Sequence, residues 1–434
     1  MNSINITKSI PVVGKYDVVV CGGGPSGWVA ATAAARSGRR TALIERFGFL
    51  GGAQTACFVV PISGFFKNGE RVVGGIAWEY VERLIADGAA QVEMPKGHVS
   101  VDTEYCKLES QRMVLEAGVD IYTNSYISGA VREGSRISAV YFENKNGTEA
   151  LEGSYFVDAT GDGDLCAAAG VPMIVPTSPQ PLSFCFELSG VDVTTPLLRD
   201  CIHHNGYGGK PSCNAVIHDY LDSLYREGKA PMFGGPWFNT LLNGDRLIVN
   251  VTRNPASVLD NRAYAKAECA MREDIFRIVE ILREKFPEFR NCVISGTPAN
   301  AGVREGRHLI GLHCLTGDEV LSAVNFPDSI ARVSHPMDVH RITDTEQTLV
   351  QLAKAGYVPY RSLVSADCDN LTVGGRIFSA DDMAHATARV QATAMAIGEA
   401  AGRAAALCAA DGTPVQQLDT ELLRRTLLEN GAVL

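Results

Sequence analysis

Among its twelve cysteines the chain has no C-x-x-C pair. An iron–sulfur cluster, a zinc ribbon or a dithiol redox centre depends on that spacing, so its absence argues against all three. No block of like charge stands out either: 39 basic residues face 49 acidic ones, for a net charge of −10. Nucleic-acid surfaces are clustered basic patches, and this balance favours no such partner. No apolar run reads as a membrane span. The nearest approach, residues 394–410, is alanine-rich and carries Glu399 and Arg403, which predicts a packed helix and no membrane partner. No signal-peptide pattern opens the chain, which predicts reduced thiols and a cytoplasmic protein. Internal repeats and low-complexity segments are missing as well. At 434 residues the chain is too long for one simple core, which predicts two interleaved domains.

What is present is concentrated between Tyr16 and Glu45. The apolar run Tyr16–Cys21 reads as a buried strand. Gly22, Gly24 and Gly27 then supply G-x-G-x-x-G, an alanine-rich helix runs from about Pro25 to Ser37, and Gly38 ends it. Thr41–Ile44 reads as the next strand, closed by Glu45. The first glycine allows the tight turn, the second admits a pyrophosphate close to backbone, and the third lets helix pack on strand. Pro25 lacks an N–H that would be orphaned at a helix start, while its neighbours, Ser26 included, aim donors and the positive dipole end at phosphate. Glu45 stands 18 positions after Gly27, placed to accept hydrogen bonds from an adenosine ribose. Together these parts predict dinucleotide binding in an α/β protein.

Farther along, Arg46 is followed by the adjacent pair Gly51-Gly52, then Ala53. Two glycines there suggest backbone brought close to a pyrophosphate or a ring system, which a plain NAD fold does not require. Helices are predicted at Ile76–Ala86 and from an Asp102 or Thr103 cap to Glu116. Strand-like stretches at 119–122, 126–131, 136–142 and 150–157 read as an antiparallel meander, with Asn146-Gly147 as a hairpin turn. Residues 157–164, VDATGDGD, end a strand and return the chain to the nucleotide. From 171 to 335 the texture changes, with strands at 182–188 and 247–252. A long amphipathic helix, Asn261–Phe286, shows Ala267, Met271, Ile275, Ile278 and Leu282 on one stripe. The last stretch, 336–434, holds strand-like Leu371–Val373 running into Gly374-Gly375-Arg376. A single helix is predicted from about Ala384 to Ala410, with Gly398 and Gly402 giving it one flat face.

GGGPSG, Glu45-Arg46 with Gly51-Gly52, VDATGDGD, GVREGRHLIG at 302–311 and NLTVGGR at 370–376 resemble one known family. It is that of the FAD-dependent oxidoreductases of glutathione-reductase-like fold, related to the succinate dehydrogenase/fumarate reductase flavoproteins. The resemblance implies a Rossmann-like FAD-binding domain in two pieces, 1–170 and 336–434, with an inserted α+β substrate domain at 171–335. It implies that Gly22, Gly24 and Gly27 hold the pyrophosphate, Glu45 the ribose and Arg46 the adenine end. Gly51, Gly52 and Ala53 would line the cofactor's middle and Ile127 the adenine. Ala159, Thr160 and Gly161 would pass the pyrophosphate, and Gly375 and Arg376 the ribityl phosphate. The last long helix would point its dipole at the flavin ring. Two departures lie near the expected substrate face. Arg304-Glu305-Gly306-Arg307-His308 stands where the group usually shows R-E-T-R-R, and Ser379-Ala380-Asp381-Asp382 where it often has Ser-x-Thr-His.

Only one dinucleotide fingerprint is visible, so no second unit for NAD(P)H is predicted. That favours direct hydride exchange between a small polar substrate, carboxylated or not, and flavin N5. His340, with Asp338 beside it, is the candidate general base, against a bland reading as an interdomain histidine. Arg304 is a candidate carboxylate clamp, against a salt bridge to Glu305. Arg389, one turn after His385, is the third catalytic candidate, and either residue of that pair could reach the flavin's pyrimidine edge. Cys57 reads more readily as a small buried hydrophobe than as a reactive thiol. Tyr360 and Arg361 are weaker candidates for the substrate wall. A flavin monooxygenase and a non-catalytic redox sensor remain competing readings, and a homo-oligomer stays open. No metal is predicted.

Overall fold

The computed structural model of the chain describes residues 3–94, 97–198, 212–240, 246–340 and 347–434. Its organising unit is β1 (Val12–Cys21), α1 (Pro25–Arg36) and β2 (Thr41–Ile44). Val18 to Cys21 and all of β2 are buried, as expected of strands covered on both faces. β1 begins ahead of the apolar run Tyr16–Cys21, at Val12, which already pairs with Ala150.

Helices α2 (Gly75–Ala86) and α3 (Thr103–Glu116) follow, the second capped by the Asp102 carboxylate on the Glu104 N–H. Then come β3 (Asp120–Tyr122), β4 (Tyr126–Glu133), β5 (Arg136–Asn144) and β6 (Gly147–Asp158). They form a seven-stranded sheet in the order β3-β2-β1-β6-β5-β4, with Leu371–Val373 also paired to β6. Here the expected meander needs correcting. β3 runs parallel to β2, with Ala42 opposite Asp120, because α3 carries the chain back over the sheet before the strand begins. Only β4, β5 and the first half of β6 form the antiparallel meander. The second half of β6 lies parallel between β1 and Leu371–Val373.

A second buried cluster is built from residues between Leu182 and Ala301. Strands β7 (Cys185–Ser189), β8 (Phe233–Thr240), β9 (Leu247–Thr252) and β10 (Val293–Gly296) pair antiparallel in the order β8-β9-β7-β10. The expected amphipathic helix, α4 (Asn261–Lys285), buries Ala267, Met271, Ile275, Ile278 and Leu282 in that cluster.

The single late helix is in fact two, α5 (Asp382–Ala388) and α6 (Gln391–Asp411), separated by Val390 in an extended conformation. Nothing in the local sequence signals that break. Tertiary bonds surround it, from the Thr387 hydroxyl to the His335 carbonyl and from Arg389 to Gln180 and Asp338. α6 lies on α1 through its two glycines. A Cβ on Gly398 would come within 2.1 Å of the Ser26 carbonyl oxygen, and one on Gly402 within 2.1 Å of that of Ala30. Among the described residues no helix is long and apolar enough to cross a membrane.

Candidate functional site

Four parallel strands end at one crevice, and the residue after each lies on its wall: Gly22 after β1, Glu45 after β2, Ala159 after β6 and Gly374 after Val373. A crevice beyond the carboxyl ends of parallel strands is where such sheets take ligands. The three fingerprint glycines have three separate tasks there. Gly22 has φ +97°, and its added Cβ would lie 2.4 Å from the Ala159 carbonyl oxygen. Gly24 would carry a Cβ with nothing within 4 Å, because it faces the open cleft. Gly27 is not on the wall. Its Cβ would lie 1.7 Å from the Gly22 carbonyl oxygen, so its lack of a side chain serves the packing of helix on strand.

The other expected positions separate in the same way. Pro25, Ser26, Arg46, Gly52, Ala53, Ile127, Thr160, Gly161, Gly375 and Arg376 all line the cleft, while Gly51 does not. Gly51 donates its N–H to the Gly23 carbonyl (2.9 Å) and so supports the loop from behind. The Glu45 carboxylate accepts the N–H groups of Gly23 (2.5 Å) and Phe47 (2.9 Å). Burial pushes its pKa up against those bonds. A carboxylate has about four acceptor directions, which leaves room for a ligand's hydroxyls. Arg376 pairs with Asp162 (2.7 Å), but its Nε and the Ser26 hydroxyl are buried with no hydrogen-bond partner among the described residues.

Helix starts differ in what meets them: α2 begins at Gly74 with no N-cap side chain and away from the cleft, its Ile76 N–H donating to the Glu399 carboxylate (2.9 Å). α3, α4 and α5 begin under an aspartate cap, from Asp102, Asp260 and Asp381 respectively. α1 and α6 begin at Gly24 and Val390 with no side-chain cap, and Pro25, Ser26, Val390, Gln391 and Ala394 line the cleft. Two uncapped N-termini therefore turn positive dipole ends to one elongated cavity; at α1 Pro25 has no N–H and the Gly27 N–H is bonded to the Gly24 carbonyl, which leaves the Ser26 N–H as the donor of that turn. This is the donor set a dinucleotide requires, and orphaned polar atoms and an open Gly24 fit it.

At the far end Arg304, Asp338, His340 and Arg389 come together on the wall. His340 Nε2 lies 3.0 Å from Asp338 Oδ2, and Arg253 Nη2 lies 3.3 Å from His340 Nδ1. A guanidinium only donates, so Nδ1 accepts and the ring proton sits on Nε2 toward Asp338. Burial and the nearby Arg304 push the His340 pKa down to about 3. His340 is thus neutral, but its lone pair is taken by Arg253. Arg304 is not bridged to Glu305; it donates to the Pro181 carbonyl (2.7 Å) and the Ser183 hydroxyl (2.8 Å). Glu305 instead faces His308 (3.1 Å).

His385 is fully buried away from the cleft, with Nε2 3.1 Å from the Arg376 carbonyl oxygen. Tyr360 bonds to the Val415 carbonyl and Arg361 to Asp328, so neither reaches the wall. The sequence offered no signal for Gln180, Ser63, His98, Asn239 and Asn250, polar residues from separate segments that only the fold gathers. Of these, Ser63 Oγ lies 2.9 Å from His98 Nδ1, and both line the cleft.

Cys57 lines the cleft too, with its thiol 3.5 Å from Asn300 Oδ1 and from the Ala301 carbonyl oxygen. Burial pushes its pKa up to about 11. At pH 7.5 roughly one thiol in three thousand is then ionised. Timed iodoacetamide labelling read by peptide mass spectrometry is expected to modify exposed Cys269 at least about 100-fold faster than Cys57.

A family model described as FAD dependent oxidoreductase matches residues 17–427. Digeranylgeranylglycerophospholipid reductase 2 of Methanopyrus kandleri is 30% identical over 187 residues, 41% of this chain and 46% of the relative. Dihydrolipoyl dehydrogenase of Trypanosoma brucei brucei is 53% identical over 45 residues, 10% of this chain and 9% of the relative. The alignments thus span about half the length of the first of these curated relatives, and less of the second. Among solved structures, a geranylgeranyl bacteriochlorophyll reductase-like protein from Thermoplasma acidophilum matches with a TM-score of 0.48 at 13% identity. That match covers 96% of this chain and 83% of the other.

Proposed function

Because the chain belongs to the FAD-dependent oxidoreductase family, its cofactor is FAD and it is an oxidoreductase, and we propose that the cleft holds FAD extended from Glu45 to Gln391. The observation that carries this is the pair of uncapped helix ends, α1 and α6, opening onto one cavity. In this reading Ser26, Gly24 and Gly375 meet the pyrophosphate, Arg376 a phosphate oxygen, and the α6 N-terminus the pyrimidine edge of the ring. Glutathione-reductase-type architecture, kinship with the succinate dehydrogenase/fumarate reductase flavoproteins and an inserted lobe at 171–335 belong to the same proposal.

The reaction we assign is hydride transfer with a small polar metabolite. Bound FAD supplies the hydride acceptor at its N5. Arg304 and Arg389 orient the metabolite at the far end of the cleft. His340 orders Asp338, since its own lone pair faces Arg253. Proton movement falls to the Ser63–His98 pair, whose hydroxyl and imidazole are already in hydrogen-bond contact on the wall.

Purified protein is expected to be yellow, or to take up one FAD per chain on reconstitution. Anaerobic addition of a metabolite panel is then expected to bleach the flavin band for its substrate class. Colourless protein that refuses FAD ends the reading.

A further inference from the structure

Arg304 and Arg389, side by side on the cleft wall, are both held by neutral acceptors alone. Arg304 Nη1 donates to the Pro181 carbonyl and the Ser183 hydroxyl. Arg389 Nη2 donates to the Gln180 side-chain oxygen (3.2 Å) and the Asp338 carbonyl (3.1 Å). The same short segment, Gln180–Ser183, therefore buttresses both side chains and turns them to one end of the cleft. Arg389 Nε is buried with no hydrogen-bond partner among the described residues. Among the described residues neither guanidinium has a carboxylate within ion-pair distance, whereas Arg376, Arg361 and Arg403 each have one.

Withdrawing a guanidinium from water without an anion is costly. Burial pushes both pKa values down to about 10 although the nearby Asp338 carboxylate raises each, with Arg253 lowering Arg304 further and Arg304 lowering Arg389 further. The two guanidiniums still line the cleft, so a ligand anion can reach them. Asp338 limits how much anion they accept. Its carboxylate also lines this end and stays ionised, held down by His340 and Arg389 despite burial. It would repel a second negative charge.

We propose that Arg304 and Arg389 form a clamp for a single carboxylate, so that the substrates are monocarboxylates rather than dicarboxylates or neutral molecules. The clamp rests on the FAD reading above and narrows it to a substrate class. Planar guanidinium forks suit a carboxylate's two oxygens. Neither arginine needs to donate or take a proton.

Binding to the oxidised holoenzyme tests this by isothermal titration, with FAD content read separately from the flavin absorbance. The probes are benzoate and propionate, their neutral counterparts benzamide and propionamide, and succinate. Each monocarboxylate is expected to bind roughly 10- to 100-fold tighter than its amide, with succinate no tighter than propionate. Arg304→Gln and Arg389→Gln are each expected to erase most of the carboxylate–amide difference while keeping their FAD. The clamp is overturned if amides bind as well as acids, undetectable binding of all four included. It is equally overturned if succinate binds tightest, or if both FAD-loaded variants bind benzoate like the parent. Colourless protein would instead sink the FAD reading, which leaves the two failures distinct.

Discussion

Gly24→Ala is expected to purify folded and colourless, while Gly27→Ala is expected to yield little soluble protein. The two glycines lie in the same short motif, yet a methyl group meets different surroundings at each. At Gly24 the backbone has φ −66° and ψ −176°, an extended conformation open to any residue. The added Cβ touches nothing. Stability should fall by only about 1 kcal/mol, the usual cost of alanine at an N-cap. The methyl would, however, stand in the open cleft at the start of α1. We expect FAD affinity to fall by roughly 100-fold or more, since each factor of ten is about 1.4 kcal/mol. At Gly27 the methyl would sit 1.7 Å from a backbone oxygen of β1's exit turn. Neither the buried strand nor the helix can yield that distance, so the cost should exceed the about 1–3 kcal/mol usual for overpacking. Thermal melts and flavin absorbance on both variants decide the matter. Equal FAD loading of Gly24→Ala and parent would refute the assignment of that glycine to the cofactor.

The second large effect is expected at Gly402→Ala, far from the cleft. Its Cβ would meet the Ala30 carbonyl oxygen at 2.1 Å and so push α6 off α1. Backbone is again the obstacle, so we expect a loss of at least about 3 kcal/mol. FAD loading should decline with it, because both displaced helices present their N-termini to the cavity. Ala409→Gly, near the end of the same helix, is the control. It should cost no more than about 1 kcal/mol, the propensity difference alone. Melting temperatures with and without added FAD separate the two outcomes. If Gly402→Ala melts like Ala409→Gly, the close helix contact is not what joins these elements.

Some of this was legible before any fold was known, and the reason is local. Gly22, Gly24, Gly27 and Glu45 lie within one β-α-β stretch, where strand, helix and turn preferences act between near neighbours. Gly398 and Gly402 likewise announce a flat helix face by their one-turn spacing. Asp102 as a cap and the buried stripe of α4 follow from period and residue type alone. What stayed hidden depends on contacts between distant segments. The break at Val390 carries no glycine or proline and is set by bonds from Thr387 and Arg389 to residues about 50 or more positions away. His340 looked like a base until Arg253, 87 positions earlier, appeared on its free nitrogen.

The amino-acid order alone determined that this chain builds a dinucleotide-binding sheet, because that motif is stabilised by interactions within some thirty residues. Only the tertiary structure decided which arginines lack a carboxylate and which helix ends lack a cap. Charge balance and hydrogen-bond satisfaction are properties of everything that surrounds a group, and most of those neighbours come from elsewhere in the chain.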